Sequence, residues 1–235
     1  MRVKKITLCL AIALAGNCSS LAFADSITDA LINGKTKVNV NLRYESVDQD
    51  NALKDSDALT VRTRLTYATG SVEGFSALAE FEDSRTVLGV DDYNNTLGKN
   101  TDHSVIADPE TTELDQLLLQ YKQKSLLLKM GRQVITMDNH RFVGHVGWRQ
   151  DRQTFDGVTL AYQPIENLNL QYGYITKRNR IFAEAKDIDS NDHLINASYK
   201  TSLGKITAYG YLLLLYPPHP PPHNTPLPPP HPPPP

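Results

Sequence analysis

The chain has 235 residues, of which 40% are hydrophobic and 21% are charged, and its formal net charge is −2. Without the first 24 residues it holds 21 basic against 26 acidic residues, which argues against a nucleic-acid-binding protein, since such proteins usually carry a basic surplus. Beyond those 24 residues no uncharged apolar run reaches roughly eighteen residues, which excludes a transmembrane helix. A membrane β-barrel stays possible because its strands are half polar.

Residues 1–24 have the pattern of a secretory signal peptide. They combine a basic start, an apolar run too short to cross a bilayer, and the small-x-small motif Ala22-Phe23-Ala24 before Asp25. A lipoprotein signal at Cys18 and an uncleaved anchor helix are the alternatives. Both cysteines, Cys9 and Cys18, lie in this segment, so the cleaved chain would have no thiol, as suits an oxidising compartment.

Nine later segments alternate polar and apolar residues, the pattern of β-strands with two different faces. In the first, Val38, Val40, Leu42 and Tyr44 share one face and polar residues share the other. The predicted strands cover about residues 37–47, 58–69, 75–82, 114–122, 126–133, 154–162, 168–176, 194–200 and 205–211. Long and short connections alternate between them, which is typical of an outer-membrane barrel with long external loops and short periplasmic turns.

The tyrosines near the strand ends support the same interpretation. Aromatic rings favour the two membrane–water interfaces, although tyrosine is also common in strands of any kind. One predicted interface girdle lies just before the short turns and comprises Tyr67, Tyr121, Tyr162 and Tyr199. The other lies towards the long connections and includes Tyr44 and Tyr174. These observations together predict an all-β, antiparallel transmembrane β-barrel.

In such a barrel the polar strand faces line the passage, because the apolar faces meet lipid. Arginine is costly on a lipid face, and its planar fork suits carboxylate and phosphate groups. The alternative is that the arginines pair with nearby glutamates and only brace the wall. The predicted pore-lining residues on strands are Arg43, Arg62, Arg64, Glu80, Glu82 and Lys129.

The connection between the fifth and sixth strands is the third long one, at residues 134–153. It is too long for a hairpin turn, and long loops carry function more often than strands do. Its arginines and its tryptophan, the only one in the chain, predict a constriction inside the barrel. An ordinary external loop with solvated arginines is the alternative. The predicted constriction residues are Arg141, Trp148, Arg149 and Arg152.

Other chemistry has little support in the sequence. His140 and His145 do not match the usual zinc spacings, and no glycine-rich phosphate motif is present, so we predict no metal, no cofactor and no catalytic residue. His103-Ser104 is the nearest candidate for a nucleophile beside a base. The acidic external loops would either bind divalent cations that bridge lipopolysaccharide or form a solvated surface.

The chain changes character after Leu212. Thirteen of its fifteen prolines follow Tyr216, and proline cannot donate to a sheet ladder. We therefore predict that residues 25–215 form the N-terminal part of a barrel. Residues 216–235 are predicted to be a separate Pro/His-rich, low-complexity tail that is not native barrel sequence.

Three runs resemble Gram-negative outer-membrane porins of the alginate-export-like family: DPETTELD at 108–115, GRQVITMDNHRFVGHVGWRQDRQTFDG at 131–157, and KRNRIFAEAKDIDSNDHL at 177–194. The resemblance covers about residues 25–212. It implies a barrel of about sixteen to eighteen strands, of which this chain would supply about nine and so remain incomplete. It also suggests that the third long loop folds into the barrel, as it does in many porins.

The expected function is therefore a passive or weakly selective channel for small polar or anionic solutes, such as uronates or saccharides. Its expected location is the outer membrane, reached through the periplasm after signal-peptide cleavage. The expected partners are outer-membrane lipid, lipopolysaccharide and the solutes, with a homo-oligomer possible and no nucleic acid. A barrel-type enzyme and a structural or adhesive surface protein are the alternatives.

Overall fold

The computed structural model describes residues 20–216, in which one helix precedes nine strands that pair in chain order in a single antiparallel sheet. Residues 1–19 and 217–235, which hold most of the predicted signal peptide and tail, lie outside the described residues. No helix in the described part is long and apolar enough to cross a membrane. The elements are α1 Ser20–Ile32, β1 Lys35–Val47, β2 Ser56–Ala68, β3 Phe75–Asp92, β4 Thr111–Gln123, β5 Leu126–Gln133, β6 Thr154–Ile165, β7 Leu168–Asn179, β8 Ile188–Thr201 and β9 Gly204–Leu212.

The two faces of the sheet are inverted relative to those of a water-soluble protein. On β1, Val40 and Leu42 are 62% and 65% exposed, whereas Arg62 and Arg64 on β2 are 6% and 8% exposed. Water-soluble monomers rarely expose a continuous apolar patch of this extent. Apolar side chains outside and polar ones inside are the arrangement of a transmembrane β-sheet. We call these the apolar face and the polar face.

The connections alternate in length as the sequence predicts. The long ones, residues 48–55, 93–110, 134–153 and 180–187, lie at one edge of the sheet, and the short ones lie at the other. Several strands exceed their predicted bounds by a few residues. The largest extensions are those of β3, which continues to Asp92, and of β8, which begins at Ile188. The β8 extension is mostly polar, and the β3 extension holds Val87, Leu88 and Val90 without regular alternation. Backbone pairing such as Asp57 with Asp92 does not require apolar alternation. Helix α1 was not predicted.

The predicted tyrosine groups lie on the apolar face at the two edges of the sheet. Tyr67, Tyr121, Tyr162 and Tyr199 each stand within three residues of the end of a strand that enters a short turn. Tyr44 and Tyr174 lie on the halves of β1 and β7 nearer the long connections. Their assignment as interface girdles stays a prediction.

Two of the long connections fold back onto the polar face. Tyr93 and Ile106, from the β3–β4 connection, are 1% and 0% exposed and pack against Ala58 on β2. The β5–β6 connection packs on the other half of the sheet through a second apolar cluster. The polar face is therefore covered by loops near the long-connection edge.

Candidate functional site

Residues 134–153, which we call the β5–β6 loop, are anchored on the polar face at two places. At the first, Ile135, Met137 and Val143 pack with Phe155, Ile175 and Leu194, which project from β6, β7 and β8. The Asp138 carboxylate nearby accepts hydrogen bonds from Asn196 Nδ2 on β8 at 2.9 Å and from the hydroxyl of Tyr211 on β9. Burial of these six apolar side chains, each at most 7% exposed, fixes this end of the loop.

The second anchor is centred on Gln150, which is completely buried. Its side-chain nitrogen donates to the carbonyl oxygen and hydroxyl of Thr60 at 3.1 and 2.8 Å, and its Oε1 accepts from Asn41 Nδ2 at 3.2 Å. Its backbone nitrogen donates to Asp108 Oδ1 at 2.9 Å, and its carbonyl oxygen accepts from Arg64 Nη2 at 3.2 Å. Nearly every polar group of this residue is satisfied, as burial requires.

Two loop arginines flank Gln150 and pair with carboxylates of the wall. Arg149 Nη1 lies 2.9 Å from Glu45 Oε2 and 3.4 Å from Asp108 Oδ2. Arg152 Nη2 lies 2.8 Å from Asp115 Oδ2 and also pairs with Glu80. These charges are largely withdrawn from water, so each guanidinium compensates a carboxylate that would otherwise be costly to bury.

The wall arginines Arg43 and Arg64 belong to the same network. Arg43 pairs with Glu45, lies 3.6 Å from Asp108 and donates to the Trp148 carbonyl oxygen at 2.6 Å. Arg64 pairs with Glu82 and lies 3.4 Å from Asp115. The bracing interpretation considered from the sequence therefore describes both of them, together with Arg149 and Arg152.

Arg62, the third predicted wall arginine, is not part of this ion-pair network. Its side chain is buried, and its Nη2 donates to Asn39 Oδ1. Its Nε has no hydrogen-bond partner, and no carboxylate of the described residues lies within ion-pair distance of it. Glu82 and Asp115 attract it only from beyond ion-pair distance, so its guanidinium keeps more capacity to bind an anion than the paired arginines do.

The remaining predicted residues lie around this network rather than in it. Lys129 lines a cavity of about 210 Å³ with Gln133 and Thr159, and forms no ion pair among the described residues. Trp148 is 63% exposed, and its ring lies 4.0 Å from the Arg149 guanidinium and 5.1 Å from that of Arg43. Arg141 is exposed on the loop surface over the Phe142 ring, so the structure does not bring it into the network of arginines and carboxylates.

Three residues of the network were not predicted as site residues. Asp108 and Asp115 open and close the DPETTELD run, so their acidic pair was visible in the sequence, but nothing in it indicated their partners. Gln150 is uncharged and follows no motif. It could be identified only once its partners on β1 and β2 were known.

Asp151 is a buried carboxyl in the same loop, with no basic partner among the described residues. Its Oδ2 accepts a long hydrogen bond of 3.4 Å from Ala183 N in the β7–β8 connection. Burial, reinforced by the negative charges of Glu113 and Glu82, raises the pKa of Asp151 to about 9. Its folded-state carboxyl is therefore neutral at physiological pH.

Asp151→Asn is expected to make loop docking and stability less dependent on pH. In the unfolded chain this carboxyl ionises near pH 4, whereas in the folded protein it keeps its proton up to about pH 9. Between these two pH values the folded state holds one more proton than the unfolded state. The free energy of unfolding therefore falls as pH rises through this range, by at most about 1.4 kcal/mol per pH unit. Asparagine cannot ionise, so the variant should be more stable than the parent at pH 8 and little changed at pH 4.

Thermal unfolding of the complete protein at pH 4, 6 and 8 measures this effect. Asp83→Asn is the matched control, since that carboxyl is half-exposed and pairs with Arg85. Parallel pH profiles for the parent and Asp151→Asn would contradict the buried neutral carboxyl.

The chain was compared with protein families, with curated proteins and with solved structures. Residues 34–174 match the family model described as alginate export. No curated protein matches the chain in sequence. The family match covers β1 to most of β7. It includes the β5–β6 loop and the Gln150 anchor, but not the β8 and β9 residues of the first anchor.

Several solved structures share the fold. Acinetobacter baumannii OccAB3 superposes with a TM-score of 0.63 at 16% identity, over 77% of this chain and 50% of that one. Pseudomonas aeruginosa OccK9 (OpdG) gives 0.61 at 12% identity, over 78% and 51%. P. aeruginosa OpdK, solved with vanillate, gives 0.57 at 15% identity, over 78% and 50%. The chain thus spans about half the length of these proteins, and the predicted fold, an antiparallel sheet forming part of a larger barrel, is confirmed.

Proposed function

The chain belongs to the alginate export family, and from this premise we propose that it forms part of the wall of an outer-membrane channel for small polar or anionic solutes. The exposed apolar face supports a position in lipid, and the buried polar face supports a lining for an aqueous passage. The contacts of the β5–β6 loop with that lining support its role as a constriction of the passage. Export through the periplasm and residence in the outer membrane belong to this proposal.

Arg62 is the observation that carries the anionic part of the proposal. Arg43, Arg64, Arg149 and Arg152 each lie within ion-pair distance of two carboxylates, some of which they share, whereas Arg62 has none at that distance in the described chain. Beside a low-dielectric wall, a charge without an ion-pair partner acts on passing ions more strongly than the screened acids of the outer loops. A carboxylate-bearing solute, such as a uronate, is the class that this guanidinium suits.

Arg62→Gln is expected to shift the selectivity of the complete channel towards cations. Loss of about 1 kcal/mol of attraction would lower the anion-to-cation permeability ratio roughly fivefold. The reversal potential in a salt gradient across a planar bilayer measures this ratio. Arg85→Gln is the control, because Arg85 is half-exposed and already paired with Asp83, and equal shifts in the two variants would contradict the assignment to Arg62.

The enzyme alternative has less support. The proposed base and nucleophile, His103 and Ser104, are engaged separately: His103 Nδ1 lies 2.7 Å from the Asp55 carbonyl oxygen, while Ser104 Oγ is buried without a hydrogen-bond partner. A nucleophile needs a base within hydrogen-bond reach. These contacts favour the channel over a hydrolase at this position.

Contact of the outer loops with lipopolysaccharide through divalent cations also stays a proposal. Two acids at this edge of the sheet are already paired, since Asp91 at the end of β3 contacts Lys99 and Asp102 lies 2.6 Å from Lys54. The proposal therefore rests on the other acids of the β1–β2 and β3–β4 connections. Homo-oligomer formation likewise stays a prediction.

A further inference from the structure

Helix α1 is fixed against the short-turn edge of the sheet. The backbone nitrogen of Gly70, after β2, donates to the Ala30 carbonyl oxygen at 2.8 Å, and the Tyr67 hydroxyl donates to the Leu31 carbonyl oxygen. A Cβ at Gly70 would lie only 3.2 Å from Ala30 Cα, so glycine permits this close approach. The contacts use the part of α1 after the predicted cleavage point at Ala24.

An apolar groove of about 260 Å³ separates the helix from the apolar face. Ile27 and Leu31 line its helix side, and Phe75, Ala77 and Leu119 line its strand side. Ile27 and Leu31 are 43% and 51% exposed. The groove opens onto the face that we assign to lipid, since Phe75 and Leu119 belong to that face and are also exposed.

A polar pocket of about 410 Å³ adjoins the groove and shares Ala30, Gly70 and Val72 with it. The carboxylates of Asp29 and Glu73 stand at this pocket. An apolar slot next to a polar pocket suits an amphiphile, and the two carboxylates suit a headgroup that bears an ammonium group.

We propose that this groove binds one acyl chain of a phospholipid at the periplasmic edge of the membrane, with an ethanolamine headgroup over the polar pocket. The proposal rests on the proposed function, because it requires the apolar face to meet lipid and the short turns to face the periplasm. Continuity of the groove with that face favours lipid over protein as its occupant. The helix then lies in the interface, with its apolar side chains towards the acyl region.

Tryptophan reporters in the complete protein test this assignment. Trp148 is the only native tryptophan, so in a Trp148→Phe background Ile27→Trp reports on the groove alone. Ile206→Trp is the lipid-facing control and Leu203→Trp the aqueous control, since Ile206 is 66% exposed on β9 and Leu203 is 99% exposed in a short turn. Each protein is placed in vesicles that contain phospholipid brominated along the acyl chain.

Bromine contact quenches tryptophan, so Ile27→Trp and Ile206→Trp should lose most of their emission while Leu203→Trp keeps it. Quenching at Ile206→Trp but not at Ile27→Trp would overturn the groove proposal and leave the membrane assignment intact. A blue-shifted but unquenched Ile27→Trp would show that protein, such as a second copy, covers the groove. Absence of quenching at Ile206→Trp would overturn the proposed function itself.

A second arm tests the headgroup. At a small fraction of brominated lipid, phosphatidylethanolamine should quench Ile27→Trp more than phosphatidylglycerol does. Asp29→Asn with Glu73→Gln should remove this difference without reducing quenching at Ile206→Trp. Equal quenching by the two lipids in the parent protein would overturn the headgroup assignment.

Discussion

Replacing Arg149 and Arg152 together with glutamine is expected to release the β5–β6 loop from β1–β4 and to raise the single-channel conductance of the complete channel. The double variant would leave the carboxylates of Asp108 and Asp115, 1% and 5% exposed, without their loop partners. Removing one partner of a buried ion pair typically costs about 3 to 5 kcal/mol. Asp108 and Asp115 would each keep only one arginine, Arg43 at 3.6 Å and Arg64 at 3.4 Å. Because the loop contacts would no longer compensate these carboxylates, the loop would leave the lining more readily.

Conductance in planar bilayers and protease cleavage within residues 134–153 measure this release together. Arg141→Gln is the matched control, since Arg141 belongs to the same loop, is exposed, and forms no ion pair in the described chain. Unchanged conductance and unchanged protease resistance in the double variant would show that Gln150 and the apolar anchor hold the loop without the arginines.

Ile195→Arg is expected to impair insertion into lipid strongly. Ile195 lies midway along β8 on the apolar face and is 59% exposed. An arginine at the midplane of a lipid-facing strand costs about 2 to 4 kcal/mol. In a water-soluble sheet the same exposed position would tolerate arginine with almost no loss of stability.

Folding into vesicles, followed by the heat-dependent shift in electrophoretic mobility, measures the effect. Leu203→Arg is the control because Leu203 is exposed in the turn between β8 and β9, where arginine remains in water. Equal folding yields for the two variants would contradict a lipid-facing role for this surface.

The strands could be predicted because alternation is a local property. One residue in two must be apolar wherever a strand separates lipid from water, and Val38 to Tyr44 display this without any knowledge of their neighbours. Residues 83–92 of β3 were missed because their few apolar residues do not alternate regularly with polar ones, whereas backbone pairing and polar contacts such as that of Arg85 with Thr112 need no such alternation. Helix α1 was missed because its sequence overlaps the signal-peptide pattern.

The site was predicted less completely, for a physical reason. The arginines were recognisable by residue type and face, but whether a guanidinium is free or paired depends on carboxylates far away in the chain. Arg149 and Glu45 are separated by 104 residues, so the sequence could not distinguish Arg149, which forms ion pairs, from Arg62, which forms none in the described chain. The role of Gln150 was even less predictable, because only its hydrogen-bond partners, which lie far away in the chain, show that it anchors the loop.

The two anchors of the β5–β6 loop also constrain the order of folding. One anchor requires β6, β7 and β8, the other requires β1 to β4, and the Asn41–Gln150 hydrogen bond joins residues 109 positions apart. Contacts of such long sequence separation form slowly, because the intervening chain must first lose its freedom. Neighbouring strands, by contrast, pair through contacts between residues that are closer in the chain. We therefore expect the strands of the sheet to pair before the β5–β6 loop docks on its polar face.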